Sequence, residues 1–174
     1  MSPRTFFRYY GSKEELLFTF PNGERPLFFI SGDSFKKALG SMPAEDEGLD
    51  DLTAVGAALT SLAPEIEGFR ERIAMLDAAC ASSAALRGRR GDATRQLTSW
   101  MGEAVAERRG VTDQIGETVA RVAMALFGLA VERWLRADGG RELASCVRDG
   151  FAQLGSDPHA HSLPRPPVRR RAVS

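Results

Sequence analysis

Residues 113–137 read DQIGETVARVAMALFGLAVERWLRA. Ala120, Met124, Phe127, Val131 and Trp134 fall three and four apart, and Val119, Val122, Leu126 and Leu129 form a second set beside them. At about 3.6 residues per turn both sets are stripes on one helix, and the alternation a strand would need is absent. A helix apolar nearly all round must be covered on two sides. The subunit's own core covers one side, and a second copy of the chain is the simplest cover for the other. The following segment offers further apolar positions, so the expected dimer interface is Ala120, Met124, Phe127, Val131, Trp134, Leu143, Val147 and Phe151. Arg121, Glu132 and Arg133 interrupt the apolar run, which argues against a membrane span.

The same helical spacing extends through residues 31–154, a stretch rich in Ala, Leu, Val, Glu and Arg. An all-α body follows, with breaks where Gly and Pro cluster. Helices are expected over 32–40, 49–62, 64–82, 84–109, 113–137 and 140–154. Pro64 suits the first turn of its helix, Thr112 or Asp113 caps another, and Gly139 or Gly140 supplies a left-handed stop. The serines and glycines of 81–91 could split that region in two. From Gly155 onward four prolines and no apolar periodicity predict a disordered tail over 155–174.

At 174 residues the chain has room for one globular domain with a small appendage. Its net charge is zero, so any attraction to a polyanion must be local. Arg4, Arg8 and Lys13 at one end and Arg165 and Arg169 to Arg171 at the other are such patches. Cys80 and Cys146 have neither CxxC spacing nor a neighbouring His, which marks them as small core residues of a cytoplasmic protein. His159 and His161 lie in the Pro-rich tail, where nothing would hold them in a catalytic or metal-binding geometry. No enzyme, cofactor or metal site is expected.

Residues 2–17, SPRTFFRYYGSKEELL, form a complete local unit. Ser2 caps a helix with Pro3 at its first position, Phe6 and Tyr10 share one face, and Arg4 and Arg8 share another. Gly11 ends it, and Ser12 with Glu15 makes a capping box for a helix carrying Leu16, Leu17 and Phe20. Almost residue for residue this stretch resembles the recognition helix of TetR-family transcriptional regulators and the start of the next helix. Residues 104–154 are similar, more loosely, to the C-terminal subgroup of that family with an acyl-CoA-like ligand-binding domain.

The resemblance implies a helix-turn-helix head over 1–30, with the recognition helix at 2–10 and the next from 12, and a ligand-binding, dimerising body over 31–154. It implies operator DNA contacts from Pro3, Arg4, Thr5, Phe7, Arg8, Tyr9 and Lys13. It also implies an effector pocket between helices of the body. Phe69, Arg72, Ile73, Leu76, Leu97, Trp100, Met101, Val122 and Leu126 are the expected lining, suited to a small apolar or acyl-type molecule. The expected protein is a homodimeric repressor released from DNA by that effector. In the family two helices precede this point, so the chain as given is expected to bind DNA poorly. The alternative expectation is a ligand-binding and dimerising module that modulates a full-length relative.

Overall fold

The computed structural model describes residues 30–42, 50–110, 112–137 and 140–155. Six helices make up these residues: α1 (Gly32–Gly40), α2 (Asp51–Glu67), α3 (Arg70–Ser82), α4 (Ala84–Arg109), α5 (Asp113–Arg136) and α6 (Leu143–Gly155). The all-α architecture read from the spacing is the one observed. Of the expected head at 1–30 and tail at 155–174, residues 1–29 and 156–174 lie outside the described residues.

Several helix ends are written in the local sequence. The Ser31 hydroxyl accepts from the Ser34 amide at 3.0 Å, and Ser83 does the same for the Leu86 amide at 3.3 Å. Gly110 closes α4 in the left-handed region at φ 62°, where a Cβ would be strained. Thr112 stands at the cap position of α5 but makes no side-chain cap bond. Pro64 is not at a helix start: it lies inside α2, which ends instead at Gly68. Val55, Leu59, Leu62 and Ile66 form one buried stripe through the proline, and their burial outweighs one missing backbone bond. The region 81–91 breaks once, at Ser83, and Gly88 and Gly91 lie within α4.

Asp50 caps α2. Its carboxylate accepts from the Thr53 amide and the Thr53 hydroxyl, each at 2.8 Å. The bond from the Thr53 amide is the main cause that holds this carboxyl below its ordinary value of 3.8. A depressed carboxylate contributes stability that is complete above its unfolded pKa and is lost as pH falls through the folded one. Asp50→Ala is expected to cost about 1 kcal/mol at neutral pH. Asp50→Asn should keep most of the cap while removing its acid sensitivity. Urea midpoints measured at about pH 7 and about pH 3 would then fall further for wild type than for Asp50→Asn.

One main core joins Phe35 and Leu39 of α1, Val55 and Leu59 of α2, Leu97 and Met101 of α4, Phe127 and Trp134 of α5, and Leu143 and Val147 of α6. α4 and α5 pack along each other, α6 lies against both α2 and α5, and α1 rests on α2 and α4. α3 packs chiefly on α4, around a separate small cluster of Leu76, Cys80 and Leu86. Polar ties fasten the ends of the helices. The Leu143 amide donates to Glu67, joining the last turn of α2 to the first of α6. Asp51, 6% exposed, accepts from Arg108 at 3.3 Å and Arg109 at 2.7 Å, which binds the start of α2 to the end of α4.

The stripe of α5 expected to meet a second copy faces inward. Ala120, Met124, Phe127 and Trp134, with Leu143 and Val147 of α6, are buried inside a single subunit. Val131 and Phe151 are half-buried against the same core. Val122 and Leu129 of the other stripe point outward, 39% and 51% exposed. Covering by α2, α4 and α6 accounts for the first stripe without a partner.

Candidate ligand-binding cleft

Hollows between the helices mark the described surface. A groove of about 830 Å³ runs between α4 and α5, lined by polar side chains including Arg95, Thr98, Ser99, Glu103 and Arg121. A groove of about 690 Å³ lies between α2 and α6, where Gly56 sits against the Phe151 ring. Both are more open than the third, a cleft of about 220 Å³ between α3, α4, α2 and α5. The less open and mostly apolar cleft has the chemistry of a small-molecule site, whatever the larger volumes of the grooves.

Its walls come from separate parts of the chain. Ile66 of α2 and Met124, Phe127, Val131 and Leu135 of α5 form one side; Ile73 and Leu76 of α3 form the other. Asp77 and Arg90 line the α3–α4 side, joined by an ion pair of 2.6 Å, and Glu132 stands on α5. Gly128 leaves part of the α5 wall bare: a Cβ built there meets no atom within 4 Å.

Arg70, one turn before Ile73, ties the two walls together at their base. Its guanidinium donates to the carbonyls of Trp134, Leu135 and Ala137 at 3.0, 3.2 and 2.7 Å, capping the end of α5. It also lies 4.8 Å from the centroid of the Trp134 ring. Charge on free carbonyls and a cation over an aromatic face both favour this arrangement.

Of the residues expected to line a pocket, the structure brings Ile73 and Leu76 into the cleft. Phe69 stands at the cap of α3 and Arg72 is half-buried beside it, neither among the lining. Leu97 and Met101 belong to the main core, and Trp100 packs against Gly32 of α1. Val122 is on the outer surface and Leu126 lies next to α6 through Gly150. Ile66, Asp77, Arg90, Thr94, Val131 and Leu135 were not foreseen as lining. The three-and-four spacing from Met124 to Leu135 carried the signal for the α5 wall. Among the described residues no group of three or more His, Cys, Asp or Glu is placed to hold a metal ion. Pro3, Arg4, Thr5, Phe7, Arg8, Tyr9 and Lys13 lie outside the described residues.

Residues 52–158, more than half the chain, match the TetR C-terminal family model described as the MftR C-terminal domain. No curated protein matches the chain.

Proposed function

The chain belongs to the TetR family of transcriptional regulators, and from that premise we propose that the cleft between α3 and α5 is its effector site. The observation that carries this reading is that apolar walls from three helices meet in the cleft, with charged groups among its lining. Its 220 Å³ is below the about 300–1,000 Å³ usual for ligand pockets, which favours a compact apolar molecule or the chain of a simple acyl compound. The protein acts as a repressor in the cytoplasm, and the effector releases it from operator DNA.

α4 supports a route between ligand and DNA. With 26 residues it is about 39 Å long. It carries Arg90 and Thr94 at the cleft and, further on, Trp100 against Gly32 and Glu107 paired with Lys36 of α1 at 3.2 Å. In chain order α1 follows the segment 2–17, whose Arg4, Thr5, Tyr9 and Lys13 we assign to DNA contact. A ligand that favours one setting of α4 would thereby bias α1 and what precedes it.

A second copy covers the outward stripe of α5. Ile115, Val122 and Leu129, all exposed, recur every seven residues, as in helices that pair lengthwise. The protein is expected to sediment as a dimer, and Val122→Glu with Leu129→Glu as a monomer of unchanged helix content. A double variant that remains dimeric would place the interface elsewhere. The effector site itself is tested by filling the cleft from Gly128 and titrating with decanoic acid: wild type should bind and Gly128→Leu should not.

A further inference from the structure

The α3 wall of the cleft is attached differently from the rest. α3 and the first half of α4 share their own apolar cluster of Leu76, Cys80 and Leu86, separate from the main core. Their internal ties stay within that unit: Arg90 pairs with Asp77, and Arg87 caps the end of α3 by donating to the Cys80 and Ala81 carbonyls at 3.0 Å each. Toward the body the attachments include Ile73, packed against the main core, and Arg70 on the end of α5. α3 is bounded by breaks at Gly68–Phe69 and Ser83. Within α4, Gly88 and Gly91 weaken the helix where it leaves the small cluster, and neither glycine is required by packing. A Cβ at Gly88 meets nothing within 4 Å, and one at Gly91 only the Arg95 side chain at 3.6 Å.

We propose that α3 and residues 84–95 form a lid that opens as one unit by local unfolding, bounded by the break at Gly68–Phe69, weakened at Gly88 and Gly91 and latched by Arg70. Segments with a small core and few ties to the body open at a lower free energy than the core itself. Opening of this unit uncovers Ile66, Met124, Phe127, Val131 and Leu135 together, which gives an effector its way in and lets the site accept molecules longer than the closed cleft holds. This use of the lid rests on the reading of the cleft as the effector site, whereas the opening is measurable with no ligand present.

Hydrogen exchange of the full chain, followed by mass spectrometry, tests it. Amides of 70–95 should exchange together and well before those of α2 and α5. Gly88→Ala with Gly91→Ala, which adds helix propensity without a clash, should slow exchange of 70–95 by about fivefold for each substitution and leave α2 and α5 unchanged. Arg70→Gln should accelerate the same amides selectively. Protection of α3 equal to that of α5, or a double alanine variant with unaltered exchange over 70–95, would overturn the lid. If 70–95 open as a unit but saturating decanoic acid leaves their exchange untouched, the lid stands and the assignment of the cleft as an acyl-type effector site falls.

Discussion

Gly116→Ala is expected to lower the stability of the protein by about 3 kcal/mol, at the upper end of the cost of overpacking. α4 and α5 cross at a pair of glycines. A Cβ at Gly116 would fall on the Gly102 carbonyl oxygen and within 3.1 Å of the Ala106 amide nitrogen. Both are backbone atoms of a facing helix, so no side chain can turn aside; the two helices must separate. That separation would be felt by Leu97, Met101 and Val105 on one side and Ala120, Ala123 and Phe127 on the other, all in the main core. Against the about 5–15 kcal/mol typical of a folded domain, such a loss is large. Urea unfolding reads it directly. Gly128→Ala is the control: nothing stands within 4 Å of its Cβ, and the better helix former should raise stability by up to about 1 kcal/mol. Equal midpoints for Gly116→Ala and wild type would mean that α4 and α5 do not cross at Gly102.

The second large effect is on binding. Gly128 lies on α5 four residues after Met124 and three before Val131, and it lines the cleft without touching its opposite wall. Gly128→Leu places a branched side chain in that space. The backbone needs no adjustment, since the position is helical and open, so the variant should fold at least as well as wild type. What it removes is volume: a leucine side chain is a substantial part of a 220 Å³ cleft. Apolar contact with Phe127, Val131 and Leu135 would then be made by the protein itself rather than by a ligand. A loss of binding with fold retained separates a filled site from a broken protein.

The sequence carried the helical architecture well because apolar spacing of three and four and breaks at clustered Gly and Pro act locally. Pro64 misled because a local preference for a helix start was set against a buried stripe from Val55 to Ile66, and only the assembled core shows which prevails. The orientation of α5 was not legible for a related reason. Both of its stripes are apolar, and which one meets α2, α4 and α6 depends on helices distant in sequence. The same ambiguity displaced the candidate pocket. Ile73 and Leu76 were recognised as large apolar residues on α3, but Met124 and Val131 across the cleft sit on the stripe assigned to a second copy. Arg70 gave no sequence signal, since its three carbonyl partners lie at the far end of α5. The family, by contrast, was legible in 104–154, which falls within the matched region of 52–158, whereas the resemblance at 2–17 lies outside it.

The most direct measurement of the central claim is a calorimetric titration of wild type and Gly128→Leu with decanoic acid, each first checked for unchanged helix content and thermal unfolding. The account predicts saturable binding to wild type and at least about a tenfold weaker affinity for the variant, corresponding to about 1.4 kcal/mol or more of lost contact. Equal affinity in the two proteins would place the ligand outside the cleft between α3 and α5 and contradict its assignment as the effector site.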